Sequence, residues 1–157
     1  MELKKEDCKE FVGKRDVNSN KGDFGYIAIL GGCQNYSGAI KLANLSSASI
    51  RAGSGVTRLI IPKSIVNSVS PYLLESTLFT INDNDGEMIF DSKEIDESLH
   101  HINALAIGIG WGINKNNEKI LEYILENYSM PIVIDADGIN TLSKMDLEIL
   151  NRTKSQI

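Results

Sequence analysis

The chain has 157 residues, enough for one domain that buries roughly two-thirds of the surface of its unfolded state. Its 21 acidic and 16 basic residues give a net charge of −5, which argues against a nucleic-acid partner. The hydrophobic content of 42% suits a soluble globular protein, and no apolar run approaches the ~20 residues that a membrane span needs.

Residues 1–20 are polar and mixed in charge, and we expect them to form an irregular arm before a single domain over residues 21–157. The N-terminus has no apolar region of the kind found in signal peptides. Cys8 and Cys33 form no CxxC pair, so reduced thiols and a cytoplasmic location are expected. His100 and His101 are adjacent and lack other residues at metal-ligand spacing, so we interpret them as surface residues and predict no metal site.

The stretch 26–53 organises the rest of the chain. A buried strand is predicted at 27–30, followed by Gly31 and Gly32, and the apolar spacing after Ser37 predicts a helix. A strand, a glycine turn and a helix start together form a phosphate-binding geometry, with backbone N–H groups and the positive end of the helix dipole directed at an anion. The alternative stays open: the glycines only turn the chain, and Ser37 only caps the helix.

This turn matches neither common phosphate-binding fingerprint. A Walker loop requires four residues between its glycines and then Lys, whereas Gly32 and Gly38 enclose five residues and Ala39 follows. The sequence at Gly31 also lacks the Gly-x-Gly-x-x-Gly spacing of dinucleotide-binding folds.

Strands alternate with helices along the remaining chain, which predicts an α/β fold with a mainly parallel sheet. We read residues 82–86 as an exposed turn, not as a calcium loop, because no Glu follows at the required distance. The predicted strands are 56–61, 78–81, 104–107 and 131–134, and the predicted helical segments are 63–69, 94–101, 116–126 and 140–150.

Three clusters follow predicted strands directly: Gly31-Gly32, residues 108–112, and Asp135. Right-handed crossovers place the carboxyl ends of parallel strands on one edge of the sheet, and ligands of open α/β sheets bind there. The sequence therefore predicts that these clusters converge on a nucleotide-like ligand.

Six segments in order give the chain a specific resemblance. They are KGDFG, AILGG, NYSGA, RAGSGV, GIGWG and VIDADGIN, and they span the chain from about Lys21 to Leu142. The series is similar to that of ADP- or ATP-dependent NAD(P)H-hydrate dehydratases. The resemblance implies a three-layer, ribokinase-like fold and the nucleotide-driven dehydration of hydrated NADH or NADPH (NAD(P)HX), a metabolite repair reaction.

The resemblance also implies site residues. The family's substrate contacts fall on Ala39, beside Ser37 and Gly38, and on Gly110, while Gly31 and Gly32 would form the phosphate-binding loop. Asp135 matches the first acid of the family's Asp-Ala-Asp motif; capping the following helix is its alternative role. The implied cofactors are ADP or ATP, with Mg²⁺ as a candidate ion.

The chain departs from the family pattern in two respects. Asn20 stands where His is expected, and family domains continue well beyond the equivalent of Ile157. We therefore expect this chain to resemble the N-terminal half of such a domain, with the catalytic Asp beyond Ile157, the catalytic residue of this chain unknown and the chain inactive by itself. A non-catalytic NAD(P)H-binding module and a small-molecule kinase of the same fold are the alternatives. A sheet left uncovered in this way would favour a homo-oligomer.

Overall fold

The computed structural model of the chain describes residues 16–45 and 53–157. The strands are β1 Tyr26–Gly31, β2 Val56–Pro62, β3 Thr77–Ile81, β4 Asp83–Asn84, β5 Glu87–Met88, β6 Ala104–Ile109 and β7 Ile132–Ile134. The helices are α1 Ser37–Leu45, α2 Val66–Val69, α3 Ser92–Leu99, α4 Lys115–Asn127, α5 Asp137–Leu142 and α6 Ile149–Arg152. Short 3₁₀ turns occupy Lys21–Phe24, Lys63–Ile65 and Ser70–Tyr72.

Five strands form one sheet in the order β3-β2-β1-β6-β7, and every pairing in it is parallel. This confirms the predicted fold class. The reversal of strand order between β1 and β6 creates a switch point, where a crevice opens outside the carboxyl ends of the strands.

Helices cover both faces of the sheet, so the fold has three layers. Side chains of a strand alternate between faces: Leu30 packs with α3 and α4, whereas its neighbour Ile29 packs with α1 and α2. The helix α4 presents its apolar residues at spacings of one, three and four, which is the amphipathic pattern that the sequence predicted. Its buried apolar residues are Ile120, Leu121, Ile124 and Leu125.

The predicted helix after the glycine turn begins at Ser37, as expected. Its predicted continuation, and Arg51 and Ala52 of the RAGSGV segment, fall within residues 46–52, outside the described residues. The same holds for residues 1–15 of the predicted arm, and the arm and the domain boundary stay predictions.

Two predictions were wrong. Residues 82–86 are not simply an exposed turn, because β4 and β5 pair there as an antiparallel hairpin. Residues 140–150 do not form one amphipathic helix: α5 ends at Leu142, and the chain turns before α6. Within that turn the Asp146 carboxylate accepts the N–H of Glu148 at 3.0 Å, a local bond that competes with helix continuation.

One part of the sheet surface is apolar and open. Ile27, Ala104, Ala106 and Val133 lie on the same face, and the Val133 side chain on the edge strand β7 is 65% exposed. The edge itself is partly paired, since the N–H of Ile132 donates to the carbonyl of Gln156 at 2.8 Å. Among the described residues, no helix combines the length and apolar character needed to cross a bilayer.

Candidate functional site

The carboxyl ends of β1, β6 and β7 lie side by side, because these strands are neighbours in one parallel sheet. The glycine pair, residues 108–112 and Asp135 follow these three ends. The predicted convergence of the three clusters on one edge is therefore confirmed. Convergence alone does not define a ligand, because the contacts of each cluster decide which of its groups are free to bind one.

Gly31 and Gly32 pack tightly against protein. A β-carbon on Gly31 would collide with the backbone carbonyl of Ile109, and one on Gly32 would lie 3.0 Å from the side chains of Ile40 and Ile65. The N–H of Gly32 donates to the same Ile109 carbonyl at 2.9 Å. These glycines thus permit close packing of β1 against β6 and α1, and their role as a phosphate-binding loop stays a prediction.

The start of α1 offers the better anion-binding groups. The N–H groups of Ser37 and Gly38 have no hydrogen-bond acceptor among the described residues, and no atom lies within 4 Å of the position of a β-carbon on Gly38. The Lys41 ammonium lies 3.4 Å from the Ser37 hydroxyl oxygen and adds positive charge to this helix turn. Free N–H groups, the helix dipole and a cation together favour an anionic group here.

Ala39 and Gly110 meet where α1 approaches the end of β6. A β-carbon on Gly110 would lie 2.9 Å from the Cβ atom of Ala39 and 2.7 Å from the carbonyl oxygen of Tyr36. Gly110 has a φ of +59°, in the left-handed region that favours glycine. The two predicted substrate contacts are thus neighbours, and their small size keeps the helix start against the strand end.

In the Asp-Ala-Asp segment, the structural side-chain contact is made by Asp137 and not by Asp135. The residue before α5 is Ala136, which makes no side-chain capping bond, and it is the backbone carbonyl of Asp135 that accepts the N–H of Gly138 in the first turn, at 2.8 Å. The side chain of Asp137 accepts the N–H of Gly112 at 2.8 Å and thereby fixes the loop after β6. Asp135 itself is exposed at the carboxyl edge, and its predicted contact with substrate stays a prediction.

A cavity of about 470 Å³ opens between the loops after β1 and β6 and the β4–β5 hairpin. Trp111 forms its floor and is almost fully buried, with its indole N–H donating to the sulfur of Met88 at 3.3 Å. The side chain of Asn117 stabilises the loop after β6 by donating to the carbonyls of Trp111 and Gly112, each at 3.1 Å. The cavity is lined by Cys33, Gln34, Asn35, Tyr36, Asn84, Asp85, Glu87, Trp111, Gly112 and Ile113.

The hairpin wall of this cavity is held by local bonds. Asp83 accepts the N–H groups of Ser64 and Gly86 through its two carboxylate oxygens, each at 2.8 Å. Partial burial opposes ionisation of Asp83, but these hydrogen bonds prevail and lower the pKa of its carboxyl group. Gly86 packs against Gln34, so the turn is also fixed to the loop after β1.

The sequence reasoning missed the hairpin and the role of Asp137, and it assigned no individual role to Trp111 within the predicted cluster at residues 108–112. A signal for the hairpin was present, since Asp85-Gly86 is a dipeptide typical of two-residue turns in which both residues have positive φ. The structure shows φ values of +51° and +83° at these positions. No comparable local pattern identifies Trp111 or Asp137, because their partners are distant in sequence.

The family model that matches this chain and the relatives similar to it carry descriptions that all name NAD(P)H-hydrate. The model of the NAD(P)H-hydrate dehydratase family matches residues 27–157. The bifunctional NAD(P)H-hydrate repair enzyme Nnr of Dictyoglomus turgidum is 32% identical over 84% of this chain. The ADP-dependent (S)-NAD(P)H-hydrate dehydratase of Staphylococcus aureus is 26% identical over 85% of the chain.

Solved structures give the same fold. The ADP/ATP-dependent NAD(P)H-hydrate dehydratase of Bacillus subtilis, co-crystallised with ATP and Mg²⁺, has a TM-score of 0.66 at 26% identity over 85% of this chain and 44% of its own. A ribokinase-like superfamily protein of Enterococcus faecalis has a TM-score of 0.74 at 22% identity over 90% of this chain and 47% of its own, which shows the fold alone. The chain spans 26% of the Dictyoglomus relative and 46% of the Staphylococcus relative.

Proposed function

Because the chain belongs to the NAD(P)H-hydrate dehydratase family, we propose that its site binds hydrated NADH or NADPH for a nucleotide-dependent dehydration that restores the reduced cofactor. The reaction would be a metabolite repair step catalysed by a lyase. The Staphylococcus and Bacillus relatives carry this activity in their names, with ADP, or ADP and ATP, as the driving nucleotide.

One observation carries the proposal: the N–H groups of Ser37 and Gly38, which have no acceptor in the described part of the chain, lie beside the contact of Ala39 with Gly110. A dinucleotide has an anionic pyrophosphate linked to flat rings and hydroxylated sugars. The start of α1 suits the pyrophosphate, and the small residues at the contact allow a ring to approach the backbone. Tyr36, which is exposed and follows the glycine turn, connects this region to the cavity above Trp111.

The driving nucleotide does not fit the cavity itself. The described residues that line it include the carboxylates of Asp85 and Glu87 and no Lys or Arg, so the phosphates of ADP or ATP would be repelled. No group of three or more His, Cys, Asp or Glu residues that could hold a metal occurs in the described parts of the chain. Mg²⁺ would therefore depend on the nucleotide phosphates for most of its ligands, as is common for this ion.

We assign binding and orientation to these residues, and no proton-transfer step. The α1 start would hold the pyrophosphate, and the loop after β6, fixed by Asp137 and Asn117, would keep its backbone in place beside the ring. Such positioning lowers the entropic part of a reaction barrier.

The function is tested by incubating the purified chain with NADHX and either ADP or ATP, and following the appearance of NADH by absorbance. Formation of NADH that requires the nucleotide supports the proposed dehydratase. Tight binding of NADHX without turnover would show that the site binds the substrate, and would support the non-catalytic binding module only as the function of this chain by itself. Phosphorylation of a small molecule without NADH formation would support the kinase alternative.

The proposal extends to the oligomeric state of the chain and to its cellular location. We propose a homo-oligomer in which a second copy covers the open apolar face at Ile27, Ala106 and Val133, because burial of apolar surface is favourable by about 25 cal/mol per Å². The expected cytoplasmic location, based on reduced thiols and the family's substrate, stays a prediction.

A further inference from the structure

The β4–β5 hairpin forms one wall of the cavity and carries two carboxylates to which the proposed function assigns no role. Asp85 and Glu87 both line the cavity and are exposed, and neither carboxylate has a hydrogen-bond or ion-pair partner among residues 16–45 and 53–157. Their positions are set by the turn, because Asn84 pairs with Glu87 across it.

The supports of the hairpin make this acidic wall rigid. Asp83 is bonded to Ser64 and Gly86, and Met88, the last residue of β5, is buried and accepts the indole N–H of Trp111. A preorganised pair of acceptors costs less ordering entropy when it binds a ligand than a mobile pair would.

The other lining groups are neutral and polar. Gln34, Asn35 and Asn84 contribute amides, Tyr36 contributes an exposed aromatic ring, and no cation lines the cavity among the described residues. A ligand that complements this lining is uncharged, carries several hydrogen-bond donors and includes a flat ring. An anionic group is excluded from the cavity by the two carboxylates and finds its N–H donors at the start of α1.

We propose that Asp85 and Glu87 bind the reduced nicotinamide riboside end of the dinucleotide, by accepting hydrogen bonds from its ribose hydroxyls and carboxamide N–H group. This inference rests on the proposed function and adds to it the orientation of the ligand. The uncharged nicotinamide end occupies the hairpin cavity, and the pyrophosphate lies toward Ser37 and Gly38.

The assignment is tested by whether NADH binds more weakly or more tightly when one carboxylate is replaced by an amide. NADH is anionic, so loss of a distant negative charge strengthens its binding slightly, whereas loss of a direct carboxylate contact weakens it. Titration calorimetry of the 157-residue chain with NADH compares the wild type with Glu87→Gln and Asp85→Asn. Both exchanges preserve side-chain shape, and Asn tolerates the positive φ of position 85.

We expect the dissociation constant for NADH to rise about tenfold in Glu87→Gln, the effect of losing one hydrogen bond to a charged group, and to rise in Asp85→Asn as well. The control Glu122→Gln removes the same charge from an exposed position on α4 and should leave the constant unchanged or slightly lower. Thermal melting verifies that each variant is folded.

The outcomes separate this inference from the function on which it rests. If the wild type binds NADH and both hairpin variants bind it equally or more tightly, the orientation is wrong and the function stands. If the folded wild type binds neither NADH nor NADHX, both proposals fail.

Discussion

A β-carbon on Gly110 would lie 2.9 Å from the Cβ atom of Ala39, so these two residues hold the start of α1 directly against the end of β6. Their contact joins one of the three clusters at the carboxyl edge, residues 108–112, to the start of α1. Any side chain larger than the present ones must move either the helix or the strand end, since both are part of the packed core.

Gly110→Ala is expected to lower the free energy of unfolding by roughly 2–4 kcal/mol, because the strain of a positive φ adds to overpacking against Ala39 and Tyr36. Gly112→Ala is the matched control. Gly112 also has a positive φ, but the nearest atom to its β-carbon position is the Cys33 sulfur at 3.8 Å, so only strain of about 1–2 kcal/mol is expected. Urea unfolding measures the free energy of unfolding of both variants. Equal losses of stability would show that the contact with Ala39 is unimportant.

Gly38→Leu should preserve stability, because the position of its β-carbon faces open space, yet weaken the binding of NADH by about tenfold if the α1 start holds the pyrophosphate. Ala39→Leu should lower both the stability of the fold and the affinity for NADH, since its side chain meets Gly110. Calorimetric titration and thermal melting of the two variants check this. Undiminished affinity in a folded Gly38→Leu chain would remove the α1 start from the site.

Trp111 should report ligand binding directly. It is the single tryptophan of the chain, and it forms the floor of the cavity. Reduced nicotinamide absorbs light in the range of indole emission, so NADH in the cavity should quench the fluorescence of Trp111 in a saturable manner. Calorimetric binding of NADH without any change in emission would place the nicotinamide elsewhere.

Asp83→Asn should lower the free energy of unfolding by roughly 1–2 kcal/mol near neutral pH, because the hydrogen bonds from Ser64 and Gly86 lose their charged acceptor. The pKa of Asp83 is lowered in the folded state, so its stabilising effect is present above the unfolded pKa of about 3.9 and is lost as the pH falls through the folded value. Thermal melting between neutral and acidic pH should therefore show the two curves converging in acid.

Asp85→Asn is the control for this experiment. It removes a charge from the same turn but not the bonds of Asp83, and Asn suits the left-handed conformation at this position. A stability loss as large as that of Asp83→Asn would contradict the assigned role of Asp83.

Val133→Asp is expected to dissociate the proposed homo-oligomer, because it places a charge on the open apolar face at an exposed position. Light scattering with size-exclusion chromatography measures the mass of both chains. Leu147→Asp, at another exposed apolar residue, is the control. A wild-type chain that stays monomeric at high concentration would contradict the proposal.

The sequence predicted the strands of the sheet well because their apolar runs are local and end at glycine, proline, asparagine or aspartate. The helix at Ser37 was equally clear, since its apolar residues recur at helical spacing. The hairpin was missed because its strands have two residues each, too short for any alternation to appear. The split of residues 140–150 depends on the bonds of Asp146, which the apolar spacing does not record.

By itself, the sequence determined the alternation of strands and helices, and with it the parallel sheet that brings Gly31, Gly110 and Asp135 to one edge. That outcome follows from local spacing and from the fixed handedness of crossovers. Only the tertiary structure decided the roles of the individual residues. The N–H of Gly32 is engaged by Ile109, Asp137 rather than Asp135 fixes the neighbouring loop, and the hairpin closes a cavity over Trp111. These contacts join residues far apart in the chain, so no local pattern could encode them.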